Sequence, residues 1–305
     1  MIEVHNLTKY YGVHLAVDDL SFNAQPGEIV GLLGPNGAGK TTTMRMLTGF
    51  MPPTSGEAKI AGYDVFTDSM EIRKRVGYLP ERVPIYPDMT VKGYIMFWAK
   101  LRGLRRPRKQ VDAVLERVQL TQRRDSLIRH LSKGLRQRLG LAQALVHNPD
   151  VVILDEPTIG IDPQQVIEVR EAVRQLGQEH TVLFSTHILS EAEQVCDRVI
   201  IINKGRIVAQ GRPAELRQQL QPGAHLYVEI GGGEEAQALR LLESVAGVES
   251  VSRQGNGYTV RSRPGADIRA ELSAYIMQNH YALLELRPVA MTLEDMFLDI
   301  MGREG

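Results

Sequence analysis

Ile29-Val30-Gly31-Leu32-Leu33-Gly34-Pro35-Asn36-Gly37-Ala38-Gly39-Lys40-Thr41-Thr42 is the stretch that decides how this chain of 305 residues is read. An apolar run without polar alternation stops at Gly34, a glycine-rich loop follows, and Lys40 to Leu47 reads as a helix that ends at Gly49. The spacing Gly34-x-x-x-x-Gly39-Lys40-Thr41 suits an anion. Glycines let backbone N–H groups converge on phosphate oxygens that a Cβ would obstruct. The helix beginning at Lys40 turns the positive end of its dipole toward the same anion. In such a loop the ammonium of Lys40 contacts the β- and γ-phosphates, and the Thr41 hydroxyl ligates Mg²⁺. Gly34, Pro35, Asn36, Gly37, Ala38, Gly39, Lys40, Thr41 and Thr42 are therefore expected to cradle a nucleoside triphosphate.

Two more apolar runs end the same way. Val151-Val152-Ile153-Leu154 runs into Asp155-Glu156, and Thr181-Val182-Leu183-Phe184 runs into Ser185-Thr186-His187. Runs without alternation fit strands buried on both faces, as in a parallel sheet covered by helices. Ligands of such α/β sheets bind beyond the carboxyl ends of the strands, which is where all three runs place their polar residues. Asp155 is then expected to hold Mg²⁺, through water, and Glu156 to orient or deprotonate an attacking water. An acid at the end of a buried strand is common by itself; it gains meaning from the P-loop that precedes it. Asp162-Pro163 is a helix start, with Asp as N-cap and Pro at the first helical position. Val166, Val169, Ala172, Val173 and Leu176 mark one face of that helix.

The discriminating stretch is Leu131-Ser132-Lys133-Gly134-Leu135-Arg136-Gln137-Arg138, which opens a helix carrying Leu139, Ala142, Leu145 and Val146 on its apolar face. Ser132 suits an N-cap, so a helix N-terminus with free N–H groups faces outward. Alone, Ser132 reads as a helix cap and nothing more. The order along the chain adds the rest: P-loop, Leu-Ser-Lys-Gly, the Asp155-Glu156 strand, Gly160-Ile161-Asp162, then a histidine closing a strand. That order, over roughly residues 1–215, resembles the ATPases of ABC transporters.

The resemblance implies a P-loop NTPase fold of the ABC nucleotide-binding type, with Mg²⁺ and ATP as cofactors and ATP hydrolysis as the activity. It implies that Tyr11, in Lys9-Tyr10-Tyr11-Gly12, stacks on adenine, and that Ser132 and Gly134 bind the γ-phosphate of ATP held by a second subunit, a homodimer partner. Asp162 falls in the D-loop, and His187 is the switch histidine touching the γ-phosphate. Glu81, in Gly77-Tyr78-Leu79-Pro80-Glu81, sits where most members have glutamine. A carboxylate there can ligate Mg²⁺ or accept from water, but it cannot donate. Lys133 and Leu135 replace a glycine and the glutamine of the usual Leu-Ser-Gly-Gly-Gln, while Ser132 and Gly134 keep the hydroxyl and the open N–H.

The P-loop, the Leu-Ser-Lys-Gly stretch and Thr292-Leu293-Glu294-Asp295-Met296-Phe297-Leu298 resemble bacterial ABC-2-type exporter ATPases for drugs, polysaccharides or gliding motility. Such members work from the cytoplasm, peripheral on the inner face of the cell membrane, with a separately encoded ABC-2-type permease. That permease docks near Val83 to Trp98; Phe97 and Trp98 are equally expected in the core. A soluble ABC ATPase of translation or DNA repair is the alternative, though neither a second cassette nor a long coiled coil is visible.

Composition agrees with a globular chain: 43% hydrophobic and 24% charged residues, in the range of soluble domains. Formal net charge is +0, so no nucleic-acid partner is expected. A single cysteine, Cys196, excludes an intrachain disulfide. Met1 to His5 shows no basic segment ahead of an apolar one, so no signal peptide is expected. Val199 to Ile202 is far too short to span a bilayer. Arg102 to Lys109 is a basic stretch, either a solvated loop or a contact with the permease or anionic lipid.

Length favours two domains. We expect an ATPase domain at 1–215, with a helical subdomain at about 85–148, and an α+β accessory domain at 223–305. The latter reads as strand (226–230), helix (235–245), hairpin (248–253 and 258–263), helix (268–278) and strand (282–286), a ferredoxin-like order, followed by a helix from Leu293 to Met301.

Overall fold

The computed structural model describes residues 1–220, 225–232, 235–263 and 266–289. The expected last helix, with the Thr292 to Leu298 segment, lies outside them. Two compact units divide the chain, Met1–Pro213 and Ala214–Gly305.

The first unit is built on a six-stranded sheet in the order Arg206–Gly211, Arg198–Asn203, Ile29–Leu33, Thr181–Thr186, Val151–Asp155, Val76–Leu79. All neighbours run parallel except the edge strand Arg206–Gly211. The three apolar runs read from sequence occupy its centre, and every residue of Ile29–Leu33, Val151–Asp155 and Thr181–Thr186 is buried. A strand covered on both faces has no solvent side, which is why its sequence shows no alternation. Each fully buried Val, Leu or Ile contributes roughly 1.5–3 kcal/mol, so the same residues that hold the sheet also fix where its polar ends emerge.

A second, antiparallel sheet has the order His14–Ala24, Ile2–Tyr11, Ser55–Ile60, Tyr63–Asp64. Its buried Ile2, Val4, Leu20 and Ile60 join Val30, Ile153 and Leu183 of the parallel sheet in one core, with Met44, Met46 and Leu47 of the helix Lys40–Leu47 inside it. That helix is therefore held from two sides.

Between the adjacent strands Val76–Leu79 and Val151–Asp155 the chain makes a helical excursion: Val91–Leu101, Arg108–Arg117 and Lys133–Leu145. Val91–Leu101 is capped by Thr90, whose hydroxyl accepts from Gly93 N. It buries Val91, Tyr94, Ile95 and Ala99, one stripe at helical spacing. The expectation of a core position fails for Phe97, which points away from that stripe and is 42% exposed. Trp98 lies at the stripe's margin and is half-buried. Helix Pro163–Gly177 starts as expected, Asp162 accepting from Gln165 N at 3.0 Å. It packs on Thr181–Thr186 and on helix Leu189–Val195.

The second unit holds an antiparallel sheet in the order Val248–Gln254, Gly257–Ser262, His225–Gly231, Ala282–Pro288. Helices Glu235–Glu243 and Arg269–Gln278 supply Leu242, Leu272 and Ile276 to a core with Leu226, Val228 and Val260. The chain order strand, helix, two strands, helix, strand, with the first strand beside the last, is the ferredoxin-like topology. Among the described residues no helix is long and apolar enough to cross a membrane.

Candidate functional site

Gly34 to Gly39 leaves the carboxyl end of Ile29–Leu33 and turns into the helix Lys40–Leu47. Two glycines are obligatory for different reasons. A Cβ on Gly34 would stand 2.3 Å from the carbonyl oxygen of Ile202. Gly39 adopts φ +104°, a left-handed geometry, and its Cβ would lie 2.5 Å from the carbonyl of Ala16. The loop is thus wedged between neighbouring backbones, its Ala38 N–H donating to the Pro35 carbonyl at 3.2 Å while Gly37 and Gly39 line the pocket.

Lys40 is buried, and its Nζ donates to the carbonyls of Gly34 at 2.6 Å and Pro35 at 3.1 Å. The same Nζ stands 3.2 Å from Oε1 of Glu156, an oxygen that nonetheless lacks an aligned hydrogen bond. On the other side His187 Nδ1 lies 2.8 Å from Glu156 Oε2. Glu156 is buried and has φ +49°, a conformation that costs a non-glycine residue about 1–3 kcal/mol and persists only where the surroundings enforce it. Its own N–H supplies part of that enforcement, donating to Ser185 Oγ at 2.9 Å.

Asp155 accepts from Ser185 Oγ at 2.8 Å and from Thr41 Oγ1 at 3.2 Å on Oδ1, and from Tyr78 Oη at 3.4 Å on Oδ2. Burial pushes its carboxyl above the usual carboxylate range; the two hydroxyl donors at Oδ1 oppose this, and Glu156 and Glu81 reinforce it. Burial and the neighbouring Asp155 likewise push up the Tyr78 phenol. The convergence of Thr41 and Asp155 offers oxygen donors only, which suits a hard cation such as Mg²⁺. Among the described residues no group of three or more His, Cys, Asp or Glu could hold a metal ion by itself.

Tyr11, Asn36 to Thr42, Glu81 and Glu156 line one pocket of about 420 Å³. Tyr11 is 44% exposed, its hydroxyl donating to Met51 Sδ and Lys9 lying over its ring. Ser132, Gly134 and Asp162 line a different pocket, of about 530 Å³, that shares no residue with the first. Ser132 caps helix Lys133–Leu145, its Oγ accepting from Leu135 N at 3.3 Å. Gly134 faces the side-chain amide of Gln165, which a Cβ would strike, and Lys133 Nζ rests against Gly160.

A family model of ABC transporters matches residues 17–159. The linearmycin resistance ATP-binding protein LnrL of Bacillus subtilis (strain 168) is 34% identical over 99% of both chains. A Nod factor export ATP-binding protein I of Burkholderia thailandensis is 38% identical over 99% of this chain and 97% of its own. A solved ATP-binding subunit of an ABC transporter superposes with a TM-score of 0.66 at 32% identity, covering 72% of this chain and 92% of that one.

The chain belongs to the ABC transporter ATPases. It is an ATP-binding, ATP-hydrolysing cassette. The full-length relatives extend the similarity through the second unit, which the family model does not reach.

Ser185 and Tyr78 escaped the reading from sequence, although both hold Asp155. Ser185 carried a signal, as the first polar residue after Thr181 to Phe184. Tyr78 carried none, because a tyrosine inside a strand ordinarily reads as packing. Gln165 also went unread, since only folding places the first turn of helix Pro163–Gly177 over Gly134.

Proposed function

We propose that this chain is the ATPase subunit of an ABC-2-type exporter, working as a pair of identical chains beside a separate membrane permease. The observation that carries it is the separation of the two pockets within one chain. Ser132 and Gly134 have a hydroxyl and an N–H suited to a phosphate, yet with Asp162 they line no part of the pocket holding Lys40 and Thr41. A second copy presenting its Ser132 end completes the site. The names of the relatives, one a resistance protein and one an export protein, support the exporter reading. Such a subunit works at the inner face of the cell membrane.

In this reading the N–H groups of Gly37 to Thr41 bind the β- and γ-phosphates, and the ring of Tyr11 stacks on the base. Thr41 and Asp155 would hold Mg²⁺, with Glu81 beside them, and the ion would supply charge neutralisation of the phosphate oxygens. Glu156 accepts the proton of the attacking water. Its Oε1 is buried 3.2 Å from Lys40 Nζ without an aligned hydrogen bond, and becomes the open acceptor once that ammonium turns to the phosphates, while His187 holds Oε2. Positioned base catalysis of this kind contributes roughly 10²–10⁴ in rate. ATP closes the pair and moves the permease, and hydrolysis releases it.

Glu156→Gln tests this. The variant should hydrolyse ATP about 10²–10⁴ more slowly and elute as an ATP-dependent dimer, with Ser132→Arg abolishing that dimer. A Glu156→Gln chain that turns over normally, or stays monomeric with ATP, rules the reading out. Solubilised membranes should yield the chain together with a multi-span protein.

A further inference from the structure

Glu81 is the departure from the family pattern that the proposed function leaves without a task of its own. It follows strand Val76–Leu79 by two residues, is exposed, and lines the phosphate-loop pocket with Lys40, Thr41 and Glu156. Asp155 borders the same region through Thr41 Oγ1. The charges there are unequal. Glu81 and Glu156 line the pocket and Asp155 borders it, whereas Lys40 is the one ammonium among the described lining residues, with His14 the one imidazole, and Lys40 is already 3.2 Å from Glu156.

We propose that Glu81 makes the pocket discriminate between the metal-bound and the metal-free nucleotide. The inference rests on the reading of this pocket as an ATP site. A free nucleoside triphosphate is a polyanion and meets an excess of carboxylates. A divalent cation on its phosphates cancels part of that charge and supplies the partner that the Glu81 oxygens lack. Glutamine, the residue most family members have here, keeps the length and one oxygen but neither repels the free nucleotide nor attracts the ion. Glu81 is exposed, and at an effective dielectric between that of a protein surface and that of water one unit charge several Å from another shifts binding on the order of tenfold. Glu81 thereby keeps the site from filling with nucleotide that cannot be hydrolysed.

The test is equilibrium binding of a non-hydrolysable ATP analogue to the full chain, once with excess EDTA and once with saturating MgCl₂. Wild type, Glu81→Gln and Glu81→Asp are compared. Glu81→Gln should bind the metal-free analogue about tenfold tighter than wild type, and its preference for the magnesium form should fall by about that factor. Glu81→Asp keeps the charge and should keep the preference. An unchanged preference in Glu81→Gln overturns the inference, as does an equal fall in Glu81→Asp, which would assign the effect to shape. If wild type fails to bind the analogue with MgCl₂, the ATP-site reading itself falls and takes this inference with it. The two failures are thus separable.

Discussion

Lys40→Ala removes a buried ammonium from a site that contains a buried carboxylate, and the structure divides its cost into two parts. Lys40 and Glu156 are each 5% exposed, and Nζ lies 3.2 Å from Oε1. Without nucleotide, the substitution leaves Glu156 with His187 at 2.8 Å as its remaining side-chain partner. Removing one member of a buried ion pair costs about 3–5 kcal/mol. Because the imidazole remains as a hydrogen-bond partner, we expect a cost at or just below the bottom of that range, roughly 2–3 kcal/mol. The assay is urea unfolding of the nucleotide-free chain at pH 7.5 for wild type, Lys40→Ala, Glu156→Gln and the double variant. On the Glu156→Gln background no carboxylate is stranded, so Lys40→Ala should cost under about 1 kcal/mol, giving a coupling energy of about 1–2 kcal/mol. A cycle that is additive within about 0.5 kcal/mol would show that the pair contributes nothing, and the division would be wrong. The second part appears only with ATP: each charge-assisted phosphate contact is worth about 1.5–3 kcal/mol. Lys40→Ala should therefore bind ATP at least about tenfold more weakly on both backgrounds. Unchanged affinity would remove the phosphate-loop assignment.

Tyr11→Ala should weaken ATP and GTP alike by about 1–3 kcal/mol, since stacking is indifferent to base identity; titration with both nucleotides checks this, and equal affinity to wild type would place the base elsewhere. Gly39→Ala forces a Cβ to 2.5 Å from the Ala16 carbonyl at φ +104°, so chemical denaturation should show a loss of at least about 1–3 kcal/mol together with lost nucleotide binding. Burial, with the charge of Arg102 beside it, lowers the His147 imidazole to about 4. The folded chain therefore refuses a proton that the unfolded chain takes near its ordinary value. Stability from this group is complete above about pH 6.5 and declines toward pH 4, by about 2–4 kcal/mol in all; unfolding at pH 5 and 7.5 should show a smaller difference in His147→Gln. Cys196 is buried, which raises its thiol, so a thiol reagent should modify it only on unfolding.

The parts of this protein legible in its sequence are those whose physics is local. Buried strands announce themselves as unbroken apolar runs, and Asp162 and Ser132 cap their helices because a side-chain oxygen and an N–H three residues on are neighbours in any fold. Gly39 was legible because its left-handed backbone and its place before Lys40 are both local matters. The second unit's alternation of strands and helices could be read for the same reason. The antiparallel sheet of Ile2–Tyr11 and His14–Ala24 could not: its register shifts break the alternation of buried and exposed residues, and its pairing with Ser55–Ile60 spans distant sequence.

Within the candidate site, the sequence by itself determined which groups leave the ends of which strands. Only the tertiary structure decided that they meet. Strand order places Thr181–Thr186 between Ile29–Leu33 and Val151–Asp155, and the parallel register sets Asp155 against Ser185 and Leu33 against Thr186. That register brings the Ser185 hydroxyl between the side chain of Asp155 and the backbone of Glu156, and sets His187 beside Glu156. It also leaves Ser132 and Gly134 in a pocket apart from Lys40. No spacing along the chain encodes either result. Sheet order is chosen by the burial of many apolar side chains at once, and the polar groups they carry meet or stay apart as a consequence.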